Sequence, residues 1–248
     1  LNNEKINLNQ DALNLYLSAG YIPAPYSIYD GVSQLKAGTF LYLDSSMRLE
    51  VRAWWNSDQY YPNKSLNLSQ NELIEKLENI FIKSIEHRLV SDVPVGVFLS
   101  GGLDSSIISA LTAKMANGKI NTYSIGFEDS DFDESAFSNE VSKHINSNHY
   151  LEILKPNDLL NLMPYFEKNF DEPFSDVACF PTMALARLVS NSHKVVLSGD
   201  GGDELFGGYH YYKIINKMKF FYRLPNGIRN LLGNCISSFP FHKTKLFS

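Results

Sequence analysis

Two glycine-rich segments carry residue types and spacings on which chemistry can be built. The first, Ser100-Gly101-Gly102-Leu103-Asp104-Ser105-Ser106, follows the apolar run Val95-Gly96-Val97-Phe98-Leu99 and opens a stretch of helical character. Paired glycines let a backbone turn its N–H groups inward and approach a ligand closely, a helix N-terminus adds a favourable dipole, and the hydroxyls of Ser100, Ser105 and Ser106 add donors. The combination is an anion cradle. It is not a Walker A loop, because Gly-x-x-x-x-Gly-Lys-Ser/Thr is absent and no lysine lies in the segment. Asp104 beside a bound polyphosphate would repel it unless a divalent cation lay between them, so Asp104 is assigned to magnesium. Taken alone, the segment is also explained by a plain glycine turn with Asp104 and Ser105 as caps.

The second segment, Ser198-Gly199-Asp200-Gly201-Gly202-Asp203-Glu204-Leu205-Phe206-Gly207-Gly208-Tyr209, follows Val195-Val196-Leu197. Its carboxylates Asp200, Asp203 and Glu204 are crowded enough to repel one another, and a cation relieves that repulsion. Asp203 is the expected second magnesium ligand. Asp200 is the candidate for positioning an acceptor substrate or supporting an acyl-adenylate.

Such loops need strands and helices to aim them. From Ser69 the apolar residues Leu73, Ile74, Leu77, Ile80, Phe81 and Ile85 recur at helical intervals, and Ser69 with Glu72 has the spacing of a capping box. Beyond it the pattern predicts strand 94–99, helix 103–116, strand 120–127, helix 135–145, strand 150–154, helices within 157–190 and strand 194–197. This alternation, with strands of buried type, implies an α/β fold: a parallel sheet with helices on both faces. In such sheets ligands sit beyond the carboxyl ends of the strands, so the loops at 100, 127 and 198 are expected to converge.

The N-terminal region reads differently. A short helix around Leu13–Leu17 stops at Gly20, and strands are expected at 32–35, 39–43 and 49–55, with hairpin punctuation between them. Three strands and a helix make little core, so residues 1–57 read as the tail of a larger β-rich domain, 58–69 as a linker and 70–248 as a second domain. Both ends, Leu1 and Ser248, read as cuts.

The two motifs together resemble the synthetase domain of glutamine-dependent asparagine synthetases, a branch of the PP-loop ATP pyrophosphatases. Between them, Thr122-Tyr123-Ser124-Ile125-Gly126-Phe127 is similar to the family's second strand, whose backbone reads adenine. Asp171-Glu172-Pro173 is similar to a loop leading to the substrate pocket. Upstream, Tyr21-Ile22-Pro23-Ala24-Pro25, Ser27 to Val32 and Lys36-Ala37-Gly38 look like the last strands of the family's N-terminal glutaminase domain. The resemblance covers nearly the whole chain and weakens after about residue 215.

It implies a PP-loop/HUP-like sheet at 70–248, truncated, preceded at 1–57 by a remnant of an amidotransferase type 2 domain. ATP and Mg2+ are the implied cofactors. Phe98, Ile125, Ser198 and Gly199 would contact the nucleotide, and Ser100, Gly101, Gly102, Asp104 and Ser105 would hold the pyrophosphate. Aspartate and glutamine-derived ammonia are the implied reactants, and a homodimer is an assembly the family allows. The family's best-known members carry Glu where this chain has Asp200, and their glutaminase half uses an N-terminal cysteine that neither Cys179 nor Cys235 matches. C-terminal helices that supply a lysine near the phosphates have no counterpart here. Two alternatives stand beside this: amidation of another carboxylate, as in β-lactam-forming or surface-polysaccharide relatives, and a non-catalytic adenine-nucleotide module.

Composition agrees. The net charge of −5, with basic residues scattered through 248, argues against contact along a nucleic-acid backbone. No run approaches the roughly 20 apolar residues that span a bilayer, and the cytoplasm is the default compartment. Cys179 and Cys235 read as buried thiols. Asp129-x-Asp131-x-Asp133 mimics a calcium loop but has Glu134 where the turn needs glycine. An acid cluster at a helix N-terminus accounts for the same residues. His87, His144, His149, His193, His210 and His242 show no metal-binding spacing. Trp54-Trp55 and Tyr209 to Tyr212 read as core and domain-contact aromatics, and Asp171 and Glu172 as either substrate contacts or helix caps.

Overall fold

The computed structural model of the chain describes residues 7–60 and 67–222 apart from 117, 130 and 132, together with 224, 225 and 227. Cys235 and His242 lie outside the described residues. The chain divides into two compact units, Leu1–Ser198 and Gly199–Ser248.

In the first unit, helix α1 (Gln10–Ala19) begins where the Asn9 side chain accepts the N–H groups of Asp11 and Ala12 at 3.0 and 3.1 Å. It ends at Gly20, whose φ of 80° is a left-handed C-cap that only glycine adopts without strain, with its N–H on Tyr16 O. Ala12, Ile22 and Ile28 form a small apolar cluster beneath it. Strands β1 (Thr39–Leu43) and β2 (Leu49–Ala53) pair antiparallel from Thr39↔Ala53 to Leu43↔Leu49.

The strand expected at 32–35 is absent. Its backbone is engaged in local turns, Val32 N–H on Tyr29 O and Gln34 N–H on Pro25 O, leaving no row of groups for a ladder. Likewise β2 stops at Ala53, because the N–H groups of Trp54 and Trp55 both turn onto Gly38 O. Trp54 is 69% exposed and Trp55, stacked on Tyr60, 45% exposed, so neither is a core residue. The core half of that reading fails, because these rings follow a hairpin with no second layer among the described residues.

Helix α2 (Gln70–Leu89) starts at the expected capping box, with Ser69 N–H on Glu72 Oε2 at 2.8 Å and Glu72 N–H on Ser69 Oγ at 3.4 Å. Then β3 (Val95–Phe98), β4 (Asn121–Phe127), β5 (Asn148–Leu154) and β6 (Val195–Leu197) form a parallel sheet in the order β5-β4-β3-β6. The connections carry α3 (Leu103–Met115), α4 (Ser135–His144), α5 (Pro156–Asn169) and α6 (Cys179–Ser190).

Register explains the two cores. Val97 lies beside Thr122 and Leu197, and on that face Ile85, Val97, Ile120 and Leu197 pack with Ile108 and Leu111 of α3. Side chains alternate along a strand, and on the opposite face Ile125 and Phe127 pack with Leu154, Leu162 of α5 and Ala184 of α6. Helices therefore cover both faces, as the sequence predicts. Tyr123, 2% exposed, ties β4 to the turn before β6 through Ser192 Oγ at 2.7 Å and His193 Nδ1 at 2.8 Å. This gives His193 a structural role.

The second unit holds a one-turn helix, α7 (Gly202–Phe206), and α8 (His210–Tyr222). Among the described residues no helix is long and apolar enough to cross a membrane.

Candidate functional site

Because all four strands are parallel, the carboxyl ends of β3, β4 and β6 lie on one edge of the sheet. Strand order reverses at β3, with β4 and β5 on one side and β6 on the other. Such a switch point is where ligands of open α/β sheets bind. The loops leaving β3 and β6 are the segments beginning at Ser100 and Ser198.

The β3–α3 loop is locked from inside. Ser105 is buried; its hydroxyl accepts Ser100 N–H at 3.2 Å and donates to Gly102 O at 3.2 Å. Ser100 Oγ lies 2.9 Å from Ser105 Oγ and accepts Gly102 N–H at 3.2 Å. A hydroxyl has one proton, so the protons of Ser100 and Ser105 are used within the loop, and the donors left for an anion are backbone N–H groups and the Ser106 hydroxyl. Gly102 is the N-cap of α3 and makes no side-chain cap bond. A helix start without such a cap presents N–H groups and the positive end of the dipole, which is an anion site.

The two glycines differ. Gly101 has φ +91°, and a Cβ there would stand 2.7 Å from both Phe137 Cβ and Ser138 N at the start of α4. Gly102 has an ordinary φ of −67°, and its Cβ would meet nothing within 4 Å except Ser100 Oγ at 3.3 Å. Space for a ligand lies on the side of Gly102. Asp104 is half-buried in the first turn of α3. Among the described residues no group of three or more His, Cys, Asp or Glu could hold an ion. Magnesium does not demand one, since one or two carboxylates plus phosphate oxygens satisfy it.

Phe98 and Ile125 are half-buried at the same edge. β3 pairs with β4 only as far as Phe98↔Tyr123, whereas β4 pairs with β5 on to Phe127↔Leu154. Tyr123 O accepts Leu99 N–H at 2.9 Å on the β3 side. Two residues on, the N–H and C=O of Ile125 point the same way, past the end of β3.

Asp133 lies at the start of α4, as the acid-cluster reading of 129–134 has it, and its bonds are specific. Its carboxylate accepts Ser135 Oγ at 2.7 Å, Ser135 N–H at 3.1 Å and Phe127 N–H at 3.2 Å, clasping the turn from β4 to α4. The Ser135 hydroxyl, and after it the Phe127 N–H, hold the Asp133 carboxyl below its usual range. Asp133 is thus a turn clasp; Asp-x-Ser ahead of a helix was the available signal. The structure gives Glu172 partners that neither the substrate-contact nor the capping reading named. Its carboxylate accepts Ile28 N–H at 3.2 Å and Gln34 Nε2 at 2.9 Å, while Asp171 is exposed. Cys179 is buried as expected, and burial above all pushes its thiol pKa up.

In the second unit, α7 is bounded by glycines in the left-handed region, Gly201 at φ 90° and Gly207 at φ 71°. Gly202 N–H bonds Gly199 O at 3.2 Å, and Asp203 O accepts the N–H groups of Gly207 and Gly208 at 2.9 and 3.1 Å. Asp203 is half-buried and Asp200 exposed. The third acid has its own partner, since Tyr209 OH donates to Glu204 Oε1 at 2.6 Å. Tyr209 stacks on Tyr211 at 5.1 Å, and Tyr211 is 49% exposed, so these rings pack on one another rather than forming a core.

The Glu204 bond holds the Glu204 carboxyl down and pushes Tyr209 up to about 12. The contribution of Glu204 to stability is present above its unfolded pKa and lost as pH falls through its lowered folded value. That of Tyr209 is present below the unfolded phenol value of about 10 and lost as pH rises through the folded one. In an ultraviolet titration of tyrosinate, the component missing from Tyr209→Phe is expected near 12 in the native chain. In Glu204→Gln it should fall back to about 10; no movement would mean the bond is not formed in solution.

Comparison with known proteins follows the same lines. The Asparagine synthase family model matches residues 76–242. A protein named provisionally as a second glutamine-hydrolysing asparagine synthetase of Methanocaldococcus jannaschii is 37% identical over 230 residues, 92% of this chain and 44% of that protein. Glutamine-hydrolysing asparagine synthetase 1 of Bacillus subtilis is 28% identical over 95% of this chain and 36% of its own length. Asparagine synthetase B of Escherichia coli is 30% identical over 73% of this chain and 34% of its own. The chain thus spans less than half the length of these relatives.

Proposed function

The chain belongs to the asparagine synthase family, and from that premise we propose that it is the ATP-using part of an enzyme that converts aspartate to asparagine. The observation that carries this is the β3–α3 loop at the switch point, locked by Ser100 and Ser105 and opening onto a helix start with no side-chain cap. Ile125 would read the adenine with its backbone, Phe98, Ser198 and Gly199 would line the nucleoside, and the N–H groups following Gly102 would bind the β and γ phosphates.

Asp104 and, on its own loop, Asp203 are each proposed as magnesium ligands, the ion when bound neutralising the phosphate oxygens and making pyrophosphate a better leaving group. The side-chain carboxylate of aspartate attacks the α-phosphorus; a carboxyl O–P bond forms and the bond to the β-phosphate oxygen breaks, giving β-aspartyl-AMP and pyrophosphate. Ammonia then attacks the acyl carbon, AMP leaves with the bonding pair, and the nitrogen loses a proton to give the amide. Asp200 is proposed to position the acceptor. It is one methylene shorter than glutamate, so the acceptor must approach the loop correspondingly closer. Residues 1–57 are proposed as the end of a glutaminase domain whose remainder supplies ammonia in the full-length protein.

The test is ATP–pyrophosphate exchange by the full-length protein with magnesium and one carboxylate at a time. Exchange that requires aspartate is the expected result. Exchange with a different acid alone would keep the adenylation chemistry and change the acceptor. ATP binding without exchange for any acid would overturn the enzymatic reading in favour of a nucleotide-binding module.

A further inference from the structure

Residues far apart in the chain meet at the loop joining α5 to α6. Glu172 Oε1 accepts Ile28 N–H, 144 positions away, and Glu172 Oε2 accepts Gln34 Nε2, 138 positions away. Three residues on, Ser175 N–H donates to Gly20 O at 2.7 Å and Ser175 Oγ to Tyr16 OH at 3.3 Å. The N-terminal segment 16–34 is therefore pinned by a seam of four bonds, two of them to a carboxylate, and carboxylate bonds are the stronger kind.

The loop does not end at the seam. Phe174 packs on Phe170 at 4.7 Å and on Phe166 at 5.5 Å, and Phe166 packs on Phe180 at 5.9 Å. Phe180 belongs to the apolar cluster that contains Ile125 and Phe127 at the carboxyl end of β4. The backbone of the 172–175 loop and the packed rings that follow it thus join the N-terminal segment to the strand end that would hold the base. Close-packed interiors transmit displacement.

We propose that Glu172 is a positioning residue that registers the N-terminal segment on the α5–α6 loop and so couples ammonia supply to consumption of the adenylate. This rests on the amidation reading above, in which residues 1–57 belong to the ammonia-producing part. Glutamate is needed because both of its oxygens accept. A glutamine at 172 keeps one acceptor for Ile28 N–H and turns its NH2 group toward Gln34, whose amide must then flip to accept it and give up its 3.5 Å bond to Ile22 O.

The experiment uses the full-length protein with Glu172→Gln, and the pair Glu172→Gln with Gln34→Glu, which swaps acceptor and donor. Glutamine hydrolysed per amide formed is expected to rise about fivefold in the single variant, the factor given by one lost hydrogen bond. Ammonia-driven synthesis should stay within about twofold, and the swap should return the ratio toward that of the native protein. An unchanged ratio, an equal fall in both activities, or a swap no better than the single variant would overturn the coupling role. If the native protein shows no aspartate-dependent pyrophosphate release, the amidation reading fails instead. The clamp is then read by hydrogen exchange at the Ile28 amide, where about fivefold faster exchange in Glu172→Ala, which removes the acceptor of that N–H, supports it. Equal exchange overturns it.

Discussion

Asp104→Ala is expected to lower aspartate-dependent ATP–pyrophosphate exchange by about a hundredfold or more, because several kcal/mol of charge stabilisation at the leaving pyrophosphate would be lost, each 1.4 kcal/mol being tenfold in rate. The fold should survive. The bonds that close the β3–α3 loop join Ser100, Gly102 and Ser105, so removing the carboxylate leaves the cradle's shape in place. Asp104→Asn should fail nearly as badly, since an amide keeps the volume but not the charge that magnesium needs. The competing explanation is that Asp104 merely complements the dipole at the start of α3, which would cost about 0.3–1 kcal/mol of stability. It predicts a small drop in melting temperature with exchange unchanged at saturating magnesium. Thermal unfolding and exchange on the same samples separate the two. Normal exchange by Asp104→Ala would remove magnesium binding from this residue. Asp203→Ala is expected to show the same defect, and the magnesium concentration for half-maximal exchange should rise in both.

What could be read from the sequence was what repeats locally. The capping box at Ser69 and Glu72, the helical spacing from Leu73 to Ile85, and the runs at Val95 and Val195 each express a short-range rule, and each became the expected element. The two glycine motifs were visible for the same reason: chemistry packed into consecutive residues at a strand's end. Contacts across long separations left no such trace. Glu172 sits in a segment that resembles a substrate loop, yet its partners, Ile28 and Gln34, lie in a region with no periodic link to it. Val32 to Leu35 has the composition of a strand, but a strand needs a partner, and the turn bonds to Tyr29 and Pro25 take its donors first. Trp54 and Trp55 have the composition of a core on a hairpin too small to build one. Asp133 belonged to a run of acids spaced like calcium ligands, and only the structure shows its oxygens occupied by Ser135 and Phe127.

Gly101→Ala should destabilise the fold by roughly 2–5 kcal/mol, because left-handed strain of about 1–2 kcal/mol is joined by overpacking of about 1–3 kcal/mol. At φ +91°, the new methyl would stand 2.7 Å from Phe137 Cβ and from the Ser138 backbone, neither of which is the far end of a flexible side chain. Gly31→Ala is the matched control. It too has a positive φ, +76°, but nothing lies within 4 Å, so strain alone applies and about 1 kcal/mol is expected. Denaturant midpoints with unchanged slopes would report the difference. A Gly101 cost no larger than that at Gly31 would mean that α4 yields and the packing argument is wrong. Gly102 completes the comparison, because its backbone is ordinary and its Cβ would meet only Ser100 Oγ within 4 Å. Gly102→Ala should therefore cost about 1 kcal/mol, as a poorer N-cap pressed on Ser100 Oγ, less than Gly101→Ala, and weaken ATP binding as well, which assigns the paired glycines separate work: the first lets α4 close on the loop, and the second leaves the phosphates their place.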